Sequence, residues 1–261
     1  MRPMFRATRI IALLALASLS APVAAHDGGS ARGRFRVLYA EPVVFEGLAP
    51  GAMREAVRNQ PSRASFDAYG RRFELVLESN RRLLAGLDES ARAEVGPLQL
   101  LKGTLQGVPG SWVRLAVDGD RKSGMVWDGR ALYVIEPAED VAPRAVAPLG
   151  ALRQAATATG ASGRLQVSAI ADYEYFRNAT SAQLARNRII EIFNNVDGIF
   201  AAQVGIQIEL AGSATVFQDA SDPFTKSEAR ELLVELADYR ASRSALRSTG
   251  LTHLLTGRDL N

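Results

Sequence analysis

The chain of 261 residues contains no cysteine and only two histidines, His26 and His253. Without cysteine it can form no disulfide, and two histidines so far apart do not assemble a transition-metal site by themselves. The sequence also lacks the H-E-x-x-H, G-x-S-x-G and P-loop patterns. The printed residues therefore contain no zinc-peptidase helix, no nucleophile elbow and no phosphate-binding loop.

Residues 1–25 have the organisation of a signal peptide. Arg2, Arg6 and Arg9 precede the apolar residues 10–19, and small residues end at Ala25. The apolar run is about half of the roughly 20 residues that a membrane-spanning helix needs. We therefore predict cleavage after Ala25, a secreted or periplasmic protein, and no stable membrane anchor.

The positive charge of the chain comes from the same terminus. Lysine and arginine total 31 against 28 acidic residues, a net charge of +3, and residues 1–25 hold three arginines and no acid. Removal of that segment leaves a chain near neutrality. The basic composition therefore does not indicate a nucleic-acid or membrane partner.

Composition divides the remaining chain into four parts. A Gly/Ser/Arg-rich stretch, residues 26–34, is predicted to be disordered, and residues 138–163, rich in Ala, Pro, Thr and Gly, are predicted to be a linker. Between them lies a first segment, residues 35–137, and after the linker a second segment, residues 164–261. Each segment has its own hydrophobic pattern.

The first segment is predicted to be rich in β-strands. Phe73, Leu75 and Leu77 alternate with other residues and should line one face of a strand. Val-Pro-Gly at residues 108–110 is a turn signal, and Asp-Gly at residues 128–129 lies between two apolar runs in the manner of a β-hairpin.

The second segment predicts an α/β fold. Strand and helix patterns alternate in the order β-α-β-α-β, which implies a parallel sheet with right-handed crossovers. Thr180 with Gln183, and Thr225 with Glu228, have the spacing of helix capping boxes. One helix should carry an apolar stripe. The predicted strands are residues 165–171, 204–216 and 251–256, the helices are residues 180–203 and 225–246, and the stripe is Ile189, Ile192, Phe193, Val196, Ile199 and Phe200.

Few side chains suggest chemistry. Asp172 ends the first strand of the second segment, where parallel sheets place functional groups, but we favour a cap of the following turn. His253 lies in the last predicted strand, where a lone histidine is more often packed or exposed than a ligand. The other candidates have structural interpretations: a disordered terminus for His26, strand packing for Trp112 and Trp127, and a solvated helix surface for Glu235 and Asp238.

Several stretches resemble one family. Residues 167–176, Val-Ser-Ala-Ile-Ala-Asp-Tyr-Glu-Tyr-Phe, resemble the opening strand of the reprolysin (adamalysin-type, metzincin) zinc metallopeptidases. Their order and spacing along the chain add to the resemblance. Residues 188–208 are similar to that family's first helix and second strand, residues 253–261 to its third strand, and residues 66–75, 103–111 and 133–137 to its propeptide.

The resemblance implies a secreted zinc metalloendopeptidase made as a zymogen, which hydrolyses peptide bonds of protein or peptide substrates with zinc-activated water. It makes the first segment a propeptide and the second the beginning of a truncated βαβαβ catalytic domain. The family's zinc-binding histidines and general-base glutamate would lie beyond Asn261. We therefore assign no catalytic, cofactor-binding or metal residue within the chain, and we expect this fragment alone to be inactive.

The sequence departs from the family pattern at two points, which concern latency and calcium binding. The propeptide-like segment has no cysteine, so latency through a cysteine–zinc bond is excluded, and Gln166 stands where calcium-binding members tend to have an acid. Processing is expected near Arg144, Arg153 or Arg164. A truncated sheet should also leave Leu254 and Leu255 uncovered.

A second hypothesis is an exported, non-catalytic binding or inhibitory protein on the same scaffold. The coding sequence after Asn261 distinguishes the two: an H-E-x-x-H-x-x-G-x-x-H pattern followed by a Met-turn supports the peptidase.

Overall fold

The computed structural model describes residues 8–13, 40–48, 61–137, 163–212 and 214–260, with only the main chain described for residues 8–13. The predictions for His26, Arg144, Arg153 and residues 26–34 lie outside this part of the chain, as does nearly all of the 138–163 linker. The described residues form a mixed α/β structure with two sheets.

The first sheet is antiparallel and has eight strands. Its residues form strands because apolar and polar side chains alternate along the sequence with a period of two. Phe73, Leu75 and Leu77 are all buried, as predicted. The spatial order is β2-β1-β9-β8-β7-β6-β4-β3. The strands are β1 (Thr8–Leu13), β2 (Ala40–Val43), β3 (Ser62–Ala68), β4 (Arg71–Ser79), β6 (Gln99–Leu105), β7 (Trp112–Asp118), β8 (Arg121–Trp127) and β9 (Leu132–Pro137).

Both predicted turns of the first segment are confirmed. Residues 108–110 lie in the connection between β6 and β7, which pair antiparallel. Asp128 lies in the β8–β9 hairpin, where its carboxylate accepts hydrogen bonds from the main-chain N–H groups of Arg130 at 2.9 Å and Ala131 at 2.7 Å. A short aspartate side chain that bonds its own turn is the reason for this residue's preference at such positions.

Strand β1 lies within the predicted signal peptide. Its residues pair antiparallel with β2 on one side and with β9 on the other. Residues 1–25 were predicted to take no part in the fold, so this pairing is an unexpected element of the unprocessed chain. Cleavage after Ala25 stays a prediction, and it would remove β1 from the sheet.

The second sheet is parallel and is centred on β10 (Gly163–Ala171). Strands β11 (Ile206–Gly212) and β12 (Thr215–Val216) pair along one edge of β10, and β13 (Leu251–Leu255) pairs along the other. The predicted parallel β-α-β-α-β arrangement is therefore confirmed. A short strand of the first segment, β5 (Gly86–Leu87), pairs parallel with the free edge of β11.

The helices begin at different residues from those predicted. They are α1 (Glu89–Ala93), α2 (Tyr173–Ala179), α3 (Ala182–Gln203), α4 (Ala229–Ser242) and α5 (Ser244–Arg247), with a 3-10 turn at Arg81–Leu84.

The predicted capping boxes were wrong by one residue and by three. Ser181 caps α3 and accepts a hydrogen bond from Leu184 N–H at 3.1 Å, whereas Thr180 is the left-handed C-cap of α2. Helix α4 is capped by Glu228, and Thr225 instead donates its hydroxyl to Glu235 at 2.6 Å. Both threonines have the spacing of a capping box, but the residue directly before each helix, Ser181 or Glu228, accepts the hydrogen bond from the first turn.

The apolar stripe predicted for α3 is also partly wrong. Ile189 and Phe193 are buried, but Ile192 and Phe200 are 41 and 37 % exposed. Helix α3 lies between the two sheets, against β11 on one side and β7 on the other. The face toward β7 is polar. Helix α3 therefore buries two faces, one apolar and one polar, instead of the single apolar stripe that was predicted.

The hydrophobic core under α3 is built from both segments. Apolar residues of the first segment pack there together with β10, β11 and α3. Leu255 belongs to this core, and Leu254 packs against a neighbouring cluster around Phe224, so the expectation that both would be uncovered was wrong. The first-segment members are Leu83, Leu87, Ala91, Val95, Leu98, Leu100 and Ala116.

Candidate functional site

Open α/β sheets bind ligands at the carboxyl end of their parallel strands. Strand β10 is followed at once by Asp172, and β13 by Thr256, Gly257 and Arg258. Strand β12 ends beside them, where Phe217 N–H donates to the carbonyl of Ala171 at 3.0 Å. Three strand ends therefore meet around one buried carboxylate.

Asp172 holds the chain where it leaves β13. Its Oδ1 accepts hydrogen bonds from the N–H groups of Tyr175 at 2.8 Å and Gly257 at 3.1 Å, and its Oδ2 accepts from the Thr256 hydroxyl at 2.5 Å. The predicted capping role is confirmed, because the bond from Tyr175 caps α2. The same carboxylate also fixes the first two residues after β13, which the sequence did not indicate.

Arg258 adds a second layer to this end of the sheet. Its guanidinium lies 3.6 Å from the Asp172 carboxylate and 2.9 Å from the Glu174 carboxylate, and it donates to the carbonyl of Phe224 at 2.6 Å. Asp222 accepts main-chain hydrogen bonds from Tyr173 and Phe224, each at 2.8 Å. The acids at this end are thus bound by donors of the chain itself. Their arrangement can orient the chain that leaves β13, and we assign them no proton transfer.

The resemblance assigns no zinc ligand to this chain. No group of three or more His, Cys, Asp or Glu side chains comes together in the part of the chain that the structure describes. His253 lies on β13 as predicted, and its ring packs edge-on against Phe193 with centroids 5.7 Å apart. We therefore derive no catalytic step from a metal in these residues.

Gln166 and Glu209 form a pair at the opposite end of the sheet. The Gln166 amide donates to the Glu209 carboxylate at 3.0 Å, and the guanidinium of Arg164 lies 3.8 Å from the same carboxylate. These residues line a shallow hollow of about 370 Å³. An amide and a guanidinium therefore face the Glu209 carboxylate.

A buried polar cluster lies between the segments, around Asp197 on α3. Its Oδ1 accepts hydrogen bonds from Ile208 N–H at 3.0 Å and from the guanidinium of Arg82 at 2.5 Å. Its Oδ2 accepts from Nε and Nη2 of Arg114, at 3.1 and 3.0 Å, and from the Asn80 amide at 3.3 Å. A buried carboxylate needs such donors, since an unpaired charge inside a protein is very costly.

Asn194 extends the cluster by one helical turn. Its carbonyl oxygen accepts from the Asn80 amide at 2.8 Å, and its own amide donates to the carbonyl of Leu115 at 3.1 Å. Burial lowers the pKa of Arg114, and the charge of Asp197 opposes that effect. The cluster, which we call the Asp197 cluster, comprises Asn80, Arg82, Arg114, Asn194 and Asp197.

No member of the Asp197 cluster was predicted from the sequence to be a site residue. Asparagine and aspartate inside a helix usually face solvent, so Asn194 and Asp197 gave no signal by their type alone. Their spacing with Asn187, Glu191 and Gly198 would have indicated a second face of the helix. The remaining candidates from the sequence have structural roles. Glu235 accepts hydrogen bonds from the loop before α4, and Asp238 is exposed. Trp112 and Trp127 are half-buried and pair with each other across β7 and β8.

Among the helices that the structure describes, none has the length and apolar character required to cross a membrane. No protein-family model matches this sequence, and no curated protein matches it either.

Proposed function

We propose that the chain belongs to an exported, zinc-dependent metalloendopeptidase that is made as a zymogen. The first segment is the propeptide-like part, and the second segment opens the catalytic domain. Substrates are proteins or peptides. The resemblance places the zinc ligands after Asn261, so the described residues support the catalytic domain and do not form its centre.

The observation that carries this proposal is the agreement between the resembling stretches and the parallel sheet. Residues 167–176 form the end of β10 and the start of α2, residues 188–208 lie in α3 and β11, and residues 253–255 are in β13. The strands run in the order β11-β10-β13, with helices in both connections. A scaffold of this kind supports a site at its carboxyl end.

The residues of this chain contribute orientation to such a site. The Asp172 carboxylate accepts a hydrogen bond from Gly257 N–H and lies 3.6 Å from the guanidinium of Arg258. These contacts fix the direction in which the chain leaves β13. Gly257 is required there because a Cβ atom would overlap the carbonyl group of Glu174. When bound, zinc would activate water and polarise the peptide carbonyl.

The test begins with the coding sequence after Asn261. We expect the H-E-x-x-H-x-x-G-x-x-H pattern and a Met-turn. The protein expressed with those residues should cleave casein or a quenched peptide after processing, and 1,10-phenanthroline should abolish the cleavage. Replacement of the pattern's glutamate by glutamine is the matched control, because it removes the general base and keeps the histidines.

Two results would contradict the proposal. A stop codon directly after Asn261, or a following helix without the histidines, would favour the exported binding or inhibitory protein. The 261-residue chain itself should show no peptidase activity and no tight, stoichiometric zinc binding. A stoichiometric zinc site in this chain would overturn the assignment of the ligands to later residues.

A further inference from the structure

We propose that the first segment stays bound to the second after the linker is cut, as a lasting partner rather than a discarded propeptide. The surface that holds it consists of the free edge of β11, the polar face of α3 and the apolar patch between them. The partner is the stretch from the 3-10 turn through β7. The inference concerns this interface alone and does not need the peptidase assignment.

The first segment adds a strand to the parallel sheet of the second. Strand β5 of the first segment extends the parallel sheet of the second by pairing Gly86 with Ala211 and Leu87 with Gly212. The next N–H, of Asp88, donates to the carbonyl of Gly212 at 3.2 Å. A Cβ atom on Gly86 would lie 2.7 Å from the carbonyl oxygen of Leu210, so the close approach depends on glycine at this position.

The two segments also share one apolar core. Leu83, Leu87, Val95 and Leu98 of the first segment are buried in one cluster with the apolar residues of β10, β11 and α3. Separation would expose the apolar surface of both pieces to water, and apolar burial is the main driving force of association. An interface that resembles a divided domain core is typical of permanent complexes.

Buried charged side chains join the two segments as well. In the Asp197 cluster, Asn80, Arg82 and Arg114 come from the first segment, and Asn194 and Asp197 come from the second. Departure of the first segment would leave Asp197 with only the Ile208 N–H of the donors described above. Paired charges of this kind fix one register of docking and disfavour others.

Further polar contacts lie around the cluster. Arg186 on α3 forms an ion pair with Glu94 at 2.9 Å, and the Asn187 amide donates to Asp118 at 2.8 Å. All of these contacts lie outside residues 138–162, which contain Arg144 and Arg153, two of the three positions where processing is expected. The third, Arg164, lies in β10, where it pairs with Gln207 of β11. A cut within residues 138–162 therefore breaks no described contact between the segments.

The experiment places a site for a sequence-specific protease within residues 138–162 of the full chain. After complete cutting, verified on a denaturing gel, the protein is examined by size exclusion with light scattering. We expect a single species with the mass of the uncut chain. Two separate species, or precipitation of the second piece while the first stays in solution, would overturn the proposal.

A pair of variants tests whether the described interface is the one responsible. Leu87→Asp puts a charge in the shared core but lies outside the core of the first sheet. We expect its two pieces to separate after cutting. Leu233→Asp, on the exposed surface of α4, is the matched control and should co-elute like the original chain.

The circular dichroism of the separated first piece shows whether it remains folded. Tryptophan emission does not serve this purpose, because the Trp112 ring packs against Gly198 of α3 and its surroundings change on separation. A first piece that is separated and retains its β-structure supports the proposal, and Leu87→Asp pieces that still co-elute would contradict it. Release of the first segment would leave the peptidase assignment intact, because an ordinary zymogen discards its propeptide.

Discussion

The carboxylate of Asp197 accepts two hydrogen bonds from the guanidinium of Arg114, at 3.1 and 3.0 Å, although the residues are 83 positions apart in the chain. One residue is on α3 and the other on β7, so the pair joins the two segments at a fully buried point. Arg82 adds a second guanidinium to the same carboxylate. Two positive charges thus depend on one acid.

Replacement of Asp197 by alanine should destabilise the protein by about 3–5 kcal/mol, because it leaves two guanidinium groups without their buried partner. Chemical denaturation followed by tryptophan fluorescence measures the loss. Asp238→Ala is the control, since Asp238 is exposed on α4 and its removal should change the free energy of unfolding by less than about 0.5 kcal/mol. Equal stability of the two variants would contradict the role of the Asp197 cluster.

Glu191 should make the protein less stable as pH rises. Burial raises the pKa of its carboxyl group, opposed by Ser123 and by the charges of Arg121 and Arg188, while Asp118 raises it further. A raised folded-state pKa means that the stabilising contribution is complete below the unfolded-state pKa. It is lost as pH rises through the folded-state value.

The variant Glu191→Gln keeps the neutral form at every pH. The free energy of unfolding of the variant should match that of the original chain at about pH 4 and exceed it at about pH 8. Urea titrations at a series of pH values, with both proteins measured in parallel, provide the comparison. A variant that is less stable at the alkaline end would show that ion pairing of Glu191 outweighs its desolvation.

Thr180→Gly should stabilise the protein by about 1 kcal/mol. Thr180 has φ of 67°, a left-handed conformation that a β-branched side chain adopts at a cost and glycine adopts freely. Thermal unfolding measures the gain. Thr180→Ala keeps the Cβ atom and should gain less. A loss of stability in the glycine variant would contradict a conformational cost at Thr180.

Gly257→Ala should destabilise the protein by about 1–3 kcal/mol, the usual cost of forcing an extra carbon into a packed site. The added Cβ would overlap the carbonyl group of Glu174 and disturb the hydrogen bond from Gly257 N–H to Asp172. Gly163→Ala is the matched control, because its nearest neighbour would be the Ile206 side chain at an ordinary 3.9 Å. A neutral Gly257→Ala would show that the turn after β13 can shift freely.

The sequence predicted those elements whose cause is local. Alternating Phe73, Leu75 and Leu77 identified a strand, and Asp-Gly at residues 128–129 identified a hairpin, because period and turn chemistry are contained in neighbouring residues. Asp172 was correctly interpreted as a cap for the same reason. The helix boundaries were less accurate, since Thr180 and Ser181 both could cap and only the three-dimensional path of the chain decides between them.

The Asp197 cluster could not be predicted in this way. Its members come from the 3-10 turn, β7 and α3, and no local pattern relates Arg82 or Arg114 to Asp197. Strand β5 is equally hidden, since Gly86 and Leu87 acquire their role only by pairing with β11, more than a hundred residues later. The sequence separated two segments by composition, whereas their packing depends on contacts that composition does not record.

The pairing of β5 with β11 also has a consequence for the order of events on the ribosome. Leu83 and Leu87 are synthesised well before α3 and β11, which cover them. Until α3 and β11 have been synthesised, the nascent chain has an unpaired strand and exposed apolar side chains. Contacts between residues far apart in sequence slow folding, and the apolar surface that stays exposed before they form is prone to aggregation. Dependence on a holding chaperone should therefore be greatest while the nascent chain ends between β9 and β11.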